Sequence, residues 1–370
     1  MSKPQHNSYP PWSPRFWNGM RIGALYRLLA ENRFRISPTR IPMTGLATGV
    51  SCINSVLGSL QSLVYGRRIA SATLEQPPVF IVGHWRSGTT LVHELLTLDS
   101  RFAFPSNFDA FCPHHLLISK WFMQPLLNLL LPGKRPMDGM SLGASSPQED
   151  DFALISLGAP TLYRKIAFPN HRFELPAGDL ETETGPSLEE SLRFFFNVLN
   201  VHYRKQLVLK SPPHTFRIQQ LAKWFPGAKF VHVARNPLQI VPSTMKLWRA
   251  LDWTQGFHLP RYSDEELLEY VLREFEHMYH DFDAQLTQLK PEQFVDIRFE
   301  ELINEPLQTL GNIYDQFGFG DFAKSAPTIE SYFAENRSVK PSKNTQDERL
   351  RETIADRCSD YLRRFGYEVD

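Results

Sequence analysis

The residues best suited to chemistry in this chain of 370 residues follow an apolar run, in the segment PVFIVGHWRSGTTLVHELL at residues 78–96. Measured against the phosphate-loop pattern G-x-x-x-x-G-K-[ST], both glycines and the final hydroxyl of Thr90 are in register, but Thr89 replaces the lysine. The nearest cation is Arg86. Because lysine and magnesium together neutralise a triphosphate in nucleotide hydrolases, this loop, with hydroxyls such as that of Ser87, suits a shorter anion bound without a metal.

A second basic position follows another apolar run, FVHVARNPLQIVPS. Residues 229–234 are apolar enough for a buried parallel strand, Arg235 comes directly after it, and Ser243 lies eight residues further on. Pro237 is typical of the first position of a helix, where its missing N–H has no consequence. Since ligands of open α/β sheets bind at the carboxyl ends of the strands, the loop and Arg235 are expected to hold one nucleotide from two sides.

These two motifs resemble those of the sulfotransferases that use 3′-phosphoadenosine 5′-phosphosulfate (PAPS). Their 5′-phosphosulfate loop has the form [RK]-S-G-T-T-[LW], matched here by RSGTTL, and their strand ending in Arg, with Ser eight residues on, holds the 3′-phosphate. The resemblance covers roughly residues 78–317 and implies these donor-binding residues: Arg86, Ser87, Gly88, Thr89, Thr90, Arg235 and Ser243. It also implies that Arg86 stabilises charge on the bridging oxygen of the leaving nucleotide.

Two further segments are similar to family elements. In DIRFEELINEP, an aromatic residue of the family lies against the adenine nucleotide, and this chain has Phe299 there. KSPPH is similar to the K-x-H segment whose histidine takes the acceptor proton, which makes Lys210 and His214 catalytic candidates. Two prolines lengthen the spacing, and a histidine at a helix start can equally be a cap or a surface residue.

Two acidic residues are the other candidate bases. Some family branches use a glutamate shortly after the first helix, and at the nearest spacing this chain offers Asp109. Glu149 belongs to the cluster SPQEDDF, which lies at a predicted helix start, where acids also favour the helix dipole. A basic cluster at Arg337, Lys340 and Lys343 could close over the 3′-phosphate or be solvated surface.

The pattern of strands and helices predicts an α/β fold with three layers, P-loop-like, built around a central parallel sheet. We expect an N-terminal helical arm over residues 1–75 and the sulfotransferase domain over residues 76–370. Residues 41–66 carry no charge but are diluted by Ser, Thr, Asn and Gln. That dilution favours an arm packed on the core over one lying on a membrane surface. The apolar patch at residues 121–131 predicts a core helix, with a lid or an acceptor wall as the alternative.

Composition limits the partners. With 42% hydrophobic and 22% charged residues, and 40 basic against 40 acidic, the chain is an ordinary globular protein without the basic excess that nucleic acid binding usually requires. Its three cysteines lie far apart, and its N-terminus lacks the apolar core of a secretory signal. These features predict a cytoplasmic enzyme that binds no metal. Peripheral contact with a membrane is the alternative.

The sequence thus predicts transfer of a sulfuryl group from PAPS to a hydroxyl or amine, with a small-molecule or lipid-like acceptor favoured by the aromatic and apolar content of residues 102–131. Two alternatives remain open. One is a degenerate P-loop kinase that uses Lys210 in place of the missing lysine, and the other is a non-catalytic nucleotide-binding scaffold at a membrane surface. The sequence leaves the oligomeric state undetermined.

Overall fold

A five-stranded parallel sheet lies at the centre of the fold. The computed structural model describes residues 13–131, 143–174, 185–335 and 348–368. Its strands are β1 (Val79–Val82), β2 (Phe102–Ala103), β3 (Gln206–Lys210), β4 (Lys229–Ala234) and β5 (Phe294–Arg298). They pair in the order β2-β3-β1-β4-β5, so β2 and β3 lie on one side of β1, and β4 and β5, which come later in the chain, lie on the other. The predicted parallel sheet is therefore confirmed, and the loop after β1 leaves from its middle strand.

Helices make up most of the remaining chain. Those before the third strand are α1 (Ile22–Glu31), α2 (Ile41–Ala70), α3 (Thr89–Thr97), α4 (Asn107–Phe111), α5 (Leu116–Leu130), α6 (Asp151–Leu157) and α7 (Leu188–Tyr203). Those after it are α8 (Ile218–Trp224), α9 (Pro237–Gln255), α10 (Asp264–Leu286), α11 (Phe299–Asn304), α12 (Pro306–Phe317), α13 (Ala326–Glu335), α14 (Glu348–Arg357) and α15 (Ser359–Phe365). Capping boxes begin α7 and α10 where the sequence predicts them: Ser187 pairs with Glu190, and Ser263 with Glu266.

The chain forms two compact units. Unit 1 comprises residues 1–75, 104–205 and 246–266, and unit 2 comprises residues 76–103, 206–245 and 267–370. All five strands belong to unit 2, where their apolar residues pack with α3 and α12 around a core that includes Val79, Leu95, Val231 and Ile313. Unit 1 is helical, and one unit boundary coincides with the predicted end of the arm at residue 75. The division into two domains at that point stays a prediction.

Two elements differ from the sequence pattern. The single helix expected over residues 300–317 is two helices, because the chain bends at Glu305, ahead of Pro306, where the residue before a proline avoids helical geometry. Strand β2 was not anticipated, since its two residues are too few to show an alternation. The extended pairing of Phe102 with Gln206 nevertheless adds it to the edge of the sheet.

Candidate active site

Four of the five strands of unit 2 end next to residues predicted to bind or react. The phosphate loop begins at Gly83, directly after β1; Lys210 is the last residue of β3; Arg235 follows β4; and Phe299 follows β5. Because parallel strands present their carboxyl ends at one edge of the sheet, the topology gathers these residues there. The sequence predictions for both phosphate motifs therefore fall on one edge.

The loop has the backbone geometry that its glycines permit. Gly88 has φ +108°, and a Cβ atom there would lie 2.2 Å from Cδ2 of Phe299. Gly83 has φ +139°, and its Cβ would lie 2.7 Å from the carbonyl oxygen of Val233. Arg86 also has positive φ, at +69°, although it carries a side chain. A non-glycine residue in this region is strained by about 1–2 kcal/mol, and such strain concentrates at functional sites.

Several donors of the loop are available for an anion. Helix α3 begins without a side-chain cap, and the backbone N–H groups of Gly88, Thr89 and Thr90 make no hydrogen bond to another residue in the described ranges. The hydroxyl oxygen of Ser87 is buried and likewise lacks a partner among the residues described. Buried polar groups are normally paired. A nucleotide phosphate at the start of this helix would satisfy these donors, so the loop fits the predicted donor.

The two basic motifs meet at Ser243. The Nε of Arg86 donates to the hydroxyl oxygen of Ser243 at 3.0 Å, and Nη1 of Arg235 donates to the carbonyl oxygen of Arg86 at 3.0 Å. Burial lowers the pKa of Arg235 below its ordinary value, Glu300 acts in the opposite direction, and the neighbouring Arg86 lowers it further. Two guanidinium groups that disfavour each other's charge form a site that a dianion would stabilise.

Arg235 is supported by Phe299 and by two tyrosines that the sequence analysis did not identify. Its guanidinium carbon lies 4.2 Å above the centre of the Phe299 ring, and its backbone N–H donates to the hydroxyl of Tyr361 at 3.2 Å. Tyr367 donates to Glu300 at 2.9 Å and so fixes the carboxylate beside Arg235. Phe299 therefore packs under the arginine. Its predicted contact with adenine stays a prediction, and no local motif marks the two tyrosines near the C-terminus.

The KSPPH segment also lies at this edge. Lys210 is buried at the end of β3, and the hydroxyl of the next residue, Ser211, is buried without a partner in the part of the chain described. Thr215 accepts a hydrogen bond from the backbone N–H of Gly83 at 2.8 Å, which ties this segment to the phosphate loop. Neither Ser211 nor Thr215 was singled out from the sequence, although both are hydroxyls next to a predicted catalytic residue.

His214 is fully buried, and its Nδ1 accepts a hydrogen bond from Nε of Arg217 at 3.1 Å. A guanidinium can only donate, so the neutral ring carries its proton on Nε2. For this ring to take a proton at Nδ1, the contact with Arg217 would have to be broken. The role of general base for His214 stays a prediction, with this geometric condition attached to it.

The acidic candidates lie in unit 1. Asp109 is fully buried: its Oδ2 accepts from the backbone N–H of Ser106 at 2.9 Å, the Ser106 hydroxyl at 2.8 Å and the Tyr203 hydroxyl at 2.7 Å. Its Oδ1 accepts from Nζ of Lys120 at 2.7 Å. These contacts cap α4 and hold an ion pair. They give Asp109 a structural function, whatever its part in catalysis.

Glu149 is half-buried and accepts a hydrogen bond from the hydroxyl of Tyr163. It precedes α6, whose N-cap is Asp150, and the carbonyl oxygen of Glu149 accepts from the N–H of Phe152 at 3.2 Å. The cluster thus lies at a helix start, as predicted, while the catalytic assignment of Glu149 stays a prediction. The basic cluster at Arg337, Lys340 and Lys343 lies outside the described residues.

A parallel α/β sheet with a phosphate loop after its middle strand places this protein in the P-loop-like class. Comparison with known proteins then gives the family. Residues 77–322 match the family model described as "Sulfotransferase family". The chain is 36% identical over 361 residues to omega-hydroxy-beta-dihydromenaquinone-9 sulfotransferase Stf3 of Mycobacterium bovis, covering 96% of this chain and 92% of that protein. The chain therefore belongs to the sulfotransferase family.

Solved structures agree on the fold. Sulfotransferase STF9 from Mycobacterium avium superposes with a TM-score of 0.67 at 18% identity, covering 90% of this chain and 87% of that one. For sulfotransferase STF1 from Mycobacterium tuberculosis the TM-score is 0.60 at 17% identity, with 95% and 94% covered. Family membership confirms the predicted sulfotransferase activity and PAPS as the sulfuryl donor.

Proposed function

We propose that Arg86, Arg235 and Ser243 together hold the 3′-phosphate of PAPS. The observation that carries this assignment is the contact between Nε of Arg86 and the Ser243 hydroxyl, together with the bond from Arg235 to the Arg86 carbonyl. A phosphate dianion would replace a weak contact between a neutral hydroxyl and a guanidinium by charge-assisted hydrogen bonds. It would also relieve the mutual repulsion of the two arginines.

The 5′-phosphosulfate belongs, in this proposal, at the start of α3. The backbone N–H groups of Gly88, Thr89 and Thr90 and the hydroxyl of Ser87 would donate to its non-bridging oxygens. Lys210 suits the bridging oxygen, because β3 pairs directly with β1 and the register matches Lys210 with Ile81, two residues before the loop. Arg86 is then mainly a 3′-phosphate ligand, and Lys210 takes the larger share of leaving-group stabilisation.

The reaction balances without a metal or a redox partner. The acceptor oxygen forms a bond to sulfur, the bond from sulfur to the bridging oxygen breaks, and the acceptor proton passes to a base. 3′-Phosphoadenosine 5′-phosphate leaves with the electron pair on its bridging oxygen, which a cation at Lys210 would stabilise.

For the acceptor we propose the omega-hydroxyl group of a menaquinone-like lipid. The name of the Mycobacterium bovis relative states such an acceptor, and 36% identity over 96% of this chain supports carrying the acceptor class across. The balanced net charge of the chain agrees with an uncharged lipid acceptor better than with an anionic glycan.

Transfer of radiolabelled sulfate from PAPS tests this proposal. The acceptors compared should be an omega-hydroxylated menaquinone, the same menaquinone without the omega-hydroxyl, a simple phenol and a desulfated glycan. We expect label only on the omega-hydroxylated menaquinone at comparable concentrations. Label on the glycan, or on the simple phenol and not on the omega-hydroxylated lipid, would overturn the acceptor class. If no acceptor is labelled, the acceptor class is also wrong, and binding of 3′-phosphoadenosine 5′-phosphate then tests the donor site separately.

A further inference from the structure

Helix α2 faces the rest of unit 1 with its polar side. Up to Gln61 its buried residues recur at alternating steps of three and four and are small or polar: Thr44, Ala47, Ser51, Asn54, Gly58 and Gln61; the apolar Ile69 is buried at its C-terminal end. The Nδ2 of Asn54 donates to the carbonyl oxygens of Asn18 at 2.7 Å and Met20 at 3.1 Å. Gln61 accepts from the backbone N–H of Leu117 at 2.8 Å. These bonds fix the rotation of α2, because turning it would leave buried amide groups unpaired.

The opposite side of α2 is apolar and exposed. Leu63 is 83% exposed, Val64 67% and Val56 62%, and Ile53 and Leu60 are also exposed. In an ordinary surface helix the apolar stripe faces the core and the polar residues face water. Here the arrangement is reversed, so the prediction that the arm packs on the core holds only for its polar side.

Helix α5 extends this exposed surface. It starts beside α2, where the backbone N–H of Leu117 bonds to Gln61, and one turn later Trp121 is 80% exposed and Phe122 44%. At the end of the helix, Leu129 is 82% exposed. These values contradict the expectation of a core helix over residues 121–131. We call the surface formed by Leu60, Leu63, Val64, Trp121, Phe122 and Leu129 the apolar face.

Within α2 and α5 every formally charged side chain is basic. No acidic residue occurs between Glu31 and Glu75, and the exposed Arg67 and Arg68 follow the apolar side of α2. Within α5 the only ionisable side chain is that of Lys120, which is paired with Asp109, so the exposed charge of these two helices is that of the arginines. An anionic lipid surface complements both features together, because its headgroups attract the exposed arginines while its acyl region accepts the apolar residues beside them.

We propose that the apolar face docks on the surface of a lipid bilayer, with α2 and α5 lying in the interface and Arg67 and Arg68 at the level of anionic headgroups. Among the residues that the structure describes, one helix, over residues Pro38–Ala70, is long and apolar enough to cross a membrane by length and composition. Its polar side, however, is bonded to α5 and to the segment before α1, so a position along the bilayer surface fits the contacts. Trp121 suits such a position because indole rings prefer the headgroup level. The inference rests on contacts within unit 1 and does not depend on the proposed acceptor.

Vesicle sedimentation tests this proposal with the full chain. Wild-type protein should bind vesicles of phosphatidylcholine with phosphatidylglycerol more tightly than vesicles of phosphatidylcholine alone. The double variant Leu63→Glu, Val64→Glu should bind at least about 100-fold more weakly, since each side chain contributes about tenfold when removed from water. Arg67→Gln with Arg68→Gln should lose about fivefold per arginine on the anionic vesicles alone.

The matched control adds the same two charges outside the apolar face, in Gln308→Glu with Asn312→Glu on exposed positions of α12. This control should sediment like wild type. All variants should keep wild-type affinity for 3′-phosphoadenosine 5′-phosphate, which reports folding; if the glutamate pair fails this check, Trp121→Ser with Leu129→Ser replaces it. Wild-type vesicle binding that the variants retain would overturn the proposal. A dimer in vesicle-free solution that Leu63→Glu dissociates would overturn it as well, in favour of a second copy of the chain.

Discussion

Replacing Arg86 by glycine and by alanine separates two effects of this residue, ligand binding and backbone strain. Both variants lose the guanidinium that we assign to the 3′-phosphate. A charge-assisted hydrogen bond contributes about 1.5–3 kcal/mol, so the Kd for 3′-phosphoadenosine 5′-phosphate should rise about 10- to 150-fold in both variants. The φ of +69° favours glycine at this position. The glycine variant should therefore be more stable than the alanine variant by about 1 kcal/mol.

Relative to wild type, both variants lose the bond from Nε of Arg86 to Ser243 and gain relief from the repulsion of Arg235. These changes offset each other to within about 1 kcal/mol, so unfolding should change little. Calorimetric titration gives the affinities and urea unfolding gives the stabilities. Arg349→Ala, at an exposed position of α14, is the matched control and should change neither. Near wild-type affinity in either variant, or alanine more stable than glycine, would refute the reasoning.

Three further predictions concern packing and charge. Gly88→Ala should destabilise unit 2 by about 2–3 kcal/mol, because its Cβ would meet the Phe299 ring at 2.2 Å; a two-state unfolding curve like that of wild type would contradict this. Asp109→Asn should lower stability by about 3–5 kcal/mol, since it breaks a buried ion pair with Lys120; thermal unfolding unchanged by the substitution would show that the pair is dispensable. Burial lowers the pKa of His84 to about 4, so the unfolded chain binds a proton that the folded chain does not. Stability should therefore fall by about 1–2 kcal/mol for this histidine between pH 7 and pH 5, and urea unfolding of His84→Gln should show a smaller fall.

The phosphate motifs were predictable because each is a local pattern. The strand before Gly83, the strand before Arg235 and the helix starts after them are where periodicity and turn chemistry place them. The direct contact of Arg86 with Ser243 was not predictable, because it joins residues far apart in the chain. Tyr361 was missed for the same reason: an isolated tyrosine near the C-terminus carries no signal until the fold brings it to Arg235.

The arm shows a different limit of sequence analysis. Taken as a whole, the composition of residues 41–66, uncharged but diluted by polar residues, favours packing over membrane contact. The composition does not reveal that the polar residues of this helix, among them Asn54 and Gln61, bond to distant backbone groups while many of its apolar residues are exposed. Periodicity alone does not tell which side faces the protein when the buried side is the polar one.

The central claim is that Arg235, Arg86 and Ser243 bind the 3′-phosphate of the donor. Calorimetric titration of wild type and Arg235→Ala with 3′-phosphoadenosine 5′-phosphate and with adenosine 5′-phosphate tests it directly. The wild-type protein should prefer the 3′-phosphorylated nucleotide by at least about 100-fold, and Arg235→Ala should lose most of that preference while binding adenosine 5′-phosphate about as wild type does. A preference that survives in Arg235→Ala, or an equal loss of affinity for both nucleotides, would contradict the account.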